Sequence, residues 1–169
     1  MKPITRNLAV AAAACMVSSL ASLAPSAHAA GSVEVSFVKP ETYADIGSSM
    51  LDRERHLAIL ARHLRALGDK LPDGQTLKIE VLDIDLAGEE KLNRHLHDVR
   101  VLRGRADWPR MALRYTLSAG GQTLKSGDEK LADMGYLMHS LHASRGDALA
   151  YELRMVDDWF GARFVVAAK

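Results

Sequence analysis

Apolar and polar residues alternate over Val33-Glu34-Val35-Ser36-Phe37-Val38 and stop at Lys39-Pro40. That is the pattern of a strand buried on one face and ended by a residue with no amide hydrogen. A helix is expected next, from Ser48-Ser49 to about Leu67. Ser49 with Asp52 three residues on resembles a capping box with the shorter acid, and Leu57, Leu60, Leu64 and Leu67 recur at spacings of three and four, one stripe of a 3.6-residue helix. Gly68 and Leu71-Pro72-Asp73-Gly74 end it. Residues 76–86 form the longest strand candidate, but Leu77, Ile79 and Val81 share one parity while Leu82, Ile84 and Leu86 share the other. A bulge accounts for this, and so does a strand covered on both faces. In a regular strand Asp83 and Asp85 face the same way as Leu77 and Ile79; a bulge near Val81-Leu82 turns them to the opposite face. Only the regular case makes them unusual.

Residues 88–107 carry many charges and little period, as in a long exposed connection. From Arg110 to Ser118 the alternation is clean, with Met111, Leu113, Tyr115 and Leu117 on one face. Ala119-Gly120-Gly121-Gln122 suits a hairpin turn, with residues 123–131 returning. Residues 132–146 have no sustained period and suit a loop or a short helical piece. Leu149, Leu153, Val156, Phe160 and Phe164 then mark a second amphipathic helix. The order strand, helix, three strands, helix implies an α+β two-layer sandwich: about four mostly antiparallel strands with two amphipathic helices on one face. The other sheet face is left wetter and available for binding.

The chain's start changes the arithmetic. Lys2 and Arg6, an apolar run from Leu8 to Val17 and Ala27-His28-Ala29 make a secretory signal peptide of residues 1–29, interrupted by Ser18, Ser19 and Ser22 and too short to span a membrane. The mature chain, residues 30–169, is then a single domain of about 140 residues, 29 fewer than 169, enough for a core without covalent staples. No transmembrane segment is expected in it. Removal of Lys2 and Arg6 leaves 20 basic residues against 21 acidic, a net charge of −1 in place of +1, and takes away the one cysteine, Cys15. Thiol catalysis is thereby excluded, and the absence of cysteine suits an oxidising compartment.

Six residues are candidates for a site. Arg53 falls in line with Leu57, Leu60 and Leu64; it is either a first-turn arginine with its stem on apolar surface or a partly buried one paired with Asp83, Asp85 or Asp107. Asp83 and Asp85 stand about 7 Å apart along one side of a strand, a spacing used by hard cations and by acid–base chemistry; after a bulge they are simply solvated. Asp107-Trp108-Pro109-Arg110 precedes a strand, and Trp108, held extended by Pro109, is core or a binding platform. His95 with His97 and His139 with His142 have loose ligand spacing but belong to no strong metal signature, so neither a metal nor any other cofactor is expected. Lys91, Arg94, Arg100, Arg103, Arg105, Arg110 and Arg114 outnumber Asp98 and Asp107 by seven to two. That segment is either a solvated arginine-rich loop or an attachment point for an envelope component or anionic ligand. Nucleic acid is not expected, since the interleaved aromatics are Trp108 and Tyr115 alone.

Taken together, Val33-Glu34-Val35-Ser36-Phe37-Val38, Leu71-Pro72-Asp73-Gly74-Gln75-Thr76-Leu77, Asp83-Ile84-Asp85-Leu86-Ala87-Gly88-Glu89, Asp107-Trp108-Pro109-Arg110, Leu131-Ala132-Asp133-Met134 and Asp158-Trp159-Phe160 resemble a bacterial exported family, domain of unknown function 3016. The resemblance implies a bacterial envelope location and assigns no residue a role. No G-x-S-x-G, glycine-rich phosphate loop or thiol motif is present. The expected function is therefore a small periplasmic or secreted binding or accessory domain; the alternative is a hydrolase or metal-dependent enzyme using Asp83, Asp85 and Asp107 with His95 or His97.

Overall fold

The computed structural model describes residues 30–92, 98–104, 106–138 and 148–165. The expected signal segment with Cys15 lies outside the described residues, as do Arg94, His95, His97, Arg105, His139 and His142. Eight regular elements follow: β1 (Ser32–Phe37), α1 (Met50–Ala66), β2 (Gln75–Asp85), β3 (Glu89–Leu92), β4 (Asp98–Val101), β5 (Arg110–Ala119), β6 (Gln122–Ala132) and α2 (Ala150–Phe164). The fold is α+β, with one four-stranded sheet in the order β1-β2-β5-β6 and a two-stranded ribbon, β3-β4. Because α1 intervenes between them, β1 and β2 pair in parallel; β2 with β5 and β5 with β6 pair antiparallel. Segment 88–107, expected as an irregular connection, contains the ribbon. Its strands have four residues each, too short to carry a period visible above the charges.

Both helices cover one sheet face. Leu60 and Leu64 of α1, Leu77, Ile79, Val81 and Ile84 of β2, Leu113 of β5 and Val156 and Phe160 of α2 are all buried. Tyr115 meets Trp159 at 6.0 Å and Phe164 at 5.3 Å between ring centroids, both edge to face, which closes the core under the end of α2. On the opposite face the charges neutralise each other across strands: Lys78 pairs with Glu34, and Arg114 with Glu80 and Asp128. Hydrogen bonding to Arg114, the leading cause, holds the Asp128 carboxyl below its ordinary value.

The phase change in β2 is a bulge, with the β5 register shifting between Val81 and Asp83. Ile84 returns to the core while Asp83 and Asp85 face outward and are partly exposed. The bulge is anchored from the segment after β1: the Val81 carbonyl accepts from the Tyr43 hydroxyl at 2.7 Å and the Val38 amide at 2.9 Å, and Asp83 Oδ1 accepts from the Ala44 amide at 2.9 Å. Burial, the largest cause, pushes the Tyr43 hydroxyl up to about 12. Asp45 then pairs beside the end of β2, donating to the Ile84 carbonyl at 2.9 Å and accepting from Leu86 at 3.2 Å. This delivers the chain to the start of α1, where Ser49 accepts from the Asp52 amide as the N-cap.

Candidate functional site

Two polar or charged residues are buried among those described, His56 and Glu152, and they lie close enough to interact. Glu152 occupies the first turn of α2, three residues after Leu149, whose side chain gives that helix no capping bond. Its side chain turns inward because position 152 falls on the stripe between Leu149 and Val156. There Oε1 accepts from the Ala87 amide at 2.7 Å and from Arg100 Nη1 at 3.4 Å, while Oε2 is buried without a hydrogen-bond partner. Burial, the dominant cause, raises the Glu152 carboxyl above its ordinary value; the amides of Ala87 and of Glu152 itself, Arg100 and His56 offset part of that rise.

Arg100 comes from β4, directly across the ribbon from Glu90 of β3. Its guanidinium lies 3.7 Å from Glu90 and 3.4 Å from Glu152, and it also donates to the Ala148 carbonyl at 3.4 Å. Glu90 in turn accepts from the Ser48 amide at 3.0 Å, just before α1. One arginine thus joins the ribbon to α2, and one glutamate joins it to α1. The ribbon enters this position through Gly88, at φ +78°, where a Cβ would stand 2.6 Å from the Val101 carbonyl oxygen. On α1, His56 Nδ1 lies 2.9 Å from the Ile46 carbonyl. A carbonyl only accepts, so Nδ1 carries a proton and donates it there.

Between these groups lies a cleft of about 250 Å³ lined by Asp52, His56, Glu90, Arg100 and Ala148. Its polar lining is mostly acidic: the carboxylates of Asp52 and Glu90, beside the imidazole of His56. The one guanidinium is already committed to Glu90, Glu152 and Ala148. Such a lining suits a small ligand rich in hydrogen-bond donors.

The six residues singled out from the sequence divide into four places. Asp85, Trp108 and Arg110 come together on the outer side of the sheet, with Arg110 Nη1 at 2.8 Å from Asp85 Oδ2 and its guanidinium 4.7 Å from the Trp108 ring centre. Asp107 precedes Trp108 but turns toward the ribbon, its carboxylate taking the Arg103 amide and the Tyr136 hydroxyl and its carbonyl taking Gly88 at 2.9 Å. Asp83 holds the bulge. Arg53 stays on α1 with its Nε buried and unpartnered, while Asp83 and Asp85 are engaged elsewhere. Among the described residues, no three acids or histidines converge in a geometry that would hold a metal ion.

The described cations of the basic segment are also neutralised locally. Lys91 and Arg103 pair with Glu89, Arg100 with Glu90 and Glu152, Arg110 with Asp85, and Arg114 with Glu80 and Asp128. Every one of those carboxylates lies outside the run from Lys91 to Arg114, so a charge count confined to that run misses them.

A family model described as protein of unknown function (DUF3016) matches residues 31–162. This chain belongs to that family. The match runs from the residue before β1 into the last turn of α2, so the DUF3016 domain includes both the sheet and the cleft. No curated protein and no solved structure matches the chain. No described helix is long and apolar enough to cross a membrane.

Proposed function

We propose that this DUF3016 protein is an exported binding module of the bacterial envelope, and that the cleft between the starts of its two helices and the β3-β4 ribbon takes a small ligand bearing an amine. The observation that carries the reading is the polarity of the lining. Asp52 and Glu90 offer carboxylate acceptors, whereas the described cations of the basic segment are each paired with carboxylates. A ligand carrying positive charge gains from that excess; an anion does not. Export rests on the composition of residues 1–29.

The hydrolase reading requires Asp83, Asp85 and Asp107 to act on one substrate. Their carboxylates are held by separate donors: Asp83 by the Ala44 amide, Asp85 by Arg110, and Asp107 by the Arg103 amide and the Tyr136 hydroxyl. No observation favours it over binding. Calorimetric titration with putrescine and with glucosamine tests the proposal. Saturable binding, weakened at least about ten-fold by Glu90→Gln through loss of one charge-assisted hydrogen bond, is the expected result. No heat with either amine, or binding indifferent to Glu90→Gln, overturns it.

A further inference from the structure

The sheet ends at β6, and among the described residues the backbone of β6 bonds only to β5. An open edge is a template for another strand, and its side chains decide which strand fits. β6 is irregular near its start, where the register with β5 shifts between Leu117 and Ser118. From Lys125 to Ala132 it is regular, with Lys125, Gly127, Glu129 and Leu131 paired to the core-facing positions of β5 and Ser126, Asp128 and Lys130 on the outer side.

A second copy added antiparallel, by a two-fold axis perpendicular to the sheet, keeps helix side against helix side. Every residue must then meet one of its own parity. An axis through Lys125, Asp128 or Glu129 sets identical charges opposite each other, and an axis through Ser126 pairs no opposite charges directly. An axis through Gly127 sets Lys125 opposite Glu129 twice, Ser126 opposite Asp128, and glycine opposite glycine. Gly127 also leaves room at the axis for Tyr115, whose Cε1 would lie 3.3 Å from a Cβ there.

From this self-complementarity we infer that the chain associates with a second copy of itself through β6, centred on Gly127, and joins two four-stranded sheets into one. Within one copy Glu129 already meets Arg163 at 2.7 Å, and Lys125 Nζ lies 5.7 Å from the Phe164 ring centre, so both charges are held on the helix side of the edge. The partner's Lys125 adds a second cation to the Glu129–Arg163 pair. The contact is short, so the dimer is weak and concentration-dependent.

A charge exchange tests it. Lys125→Glu and Glu129→Lys each replace two opposite-charge pairs with two like-charge pairs, and each is expected to weaken self-association in sedimentation equilibrium about ten-fold. An equimolar mixture of the two variants restores opposite charges at both positions and regains wild-type association. Circular dichroism of each variant establishes that the fold survives. Should a variant unfold, hydrogen exchange of the wild-type chain gives the same decision: β6 amides slow as concentration rises. A wild-type chain that stays monomeric, single variants that associate like wild type, a mixture that regains nothing, or β6 exchange independent of concentration overturns the inference.

Discussion

The Glu152 carboxylate accepts the Ala87 amide hydrogen at 2.7 Å, so the first turn of α2 secures the chain as it leaves β2 for the ribbon. Both ends of this bond are buried, and the same oxygen meets Arg100. One side chain therefore couples α2 and the end of the sheet to the ribbon, whose Glu90 and Arg100 line the cleft.

Replacing Glu152 with alanine strands a buried amide and a largely enclosed guanidinium. The expected cost is about 3 kcal/mol or more. Urea unfolding of wild type and Glu152→Ala gives the difference.

Glu152 also sets a pH dependence. Its carboxyl is raised in the folded chain, chiefly by burial, so the folded state holds this proton more tightly than the unfolded state. Its contribution is present below the unfolded glutamate value of about 4.3 and is lost as pH rises through the folded value. The stability of wild type relative to Glu152→Gln is expected to fall as pH rises from the ordinary carboxyl range. Thermal melts of both proteins across acid and neutral pH measure this.

Tyr43 makes a separate alkaline prediction. With the folded hydroxyl at about 12 and the unfolded one near the ordinary value of 10.0, its contribution holds up to the lower value and is lost on the way to the higher. Tyr43→Phe removes that alkaline loss. At neutral pH it costs about 1 kcal/mol, because the Val81 carbonyl loses one of its two donors at the bulge. Tyrosinate absorbance against pH, together with melts of both proteins, checks both parts.

Two glycines separate steric from conformational cost. At Gly88 a methyl group meets the Val101 carbonyl and the backbone has positive φ, whereas at Gly120 φ is +56° but the space is open. Gly88→Ala is expected to cost about 3 kcal/mol and to disturb the ribbon, and Gly120→Ala about 1 kcal/mol. Chemical denaturation orders the two.

The Asp85–Arg110 pair predicts little. Both side chains are partly exposed, so Asp85→Asn is expected to change stability by less than about 1 kcal/mol and to leave the cleft intact. Denaturation midpoints check it.

The helices and long strands were legible because apolar periodicity records burial on one face. Leu60, Leu64, Ile84 and Phe160 lie in the core where their spacing puts them. The phase change in β2 offered two readings of Asp83 and Asp85, and the bulge selects the outward one. The cleft was harder to see, because its members come from α1, the ribbon and α2 and meet only in three dimensions. One of them, His56, and the buried Glu152 behind Arg100 nevertheless carried a local signal. His56 stands four residues before Leu60, and Glu152 stands between Leu149 and Val156, so each is an ionisable residue on an apolar stripe.

The decisive observation is where an amine lands on the protein. In an NMR titration with putrescine, amide shifts should concentrate at Ser48, Asp52, His56, Glu90, Arg100 and Ala148 and vanish with Glu90→Gln. Shifts centred on Trp108 and Arg110, or none at all, would contradict a binding site between the two helix starts.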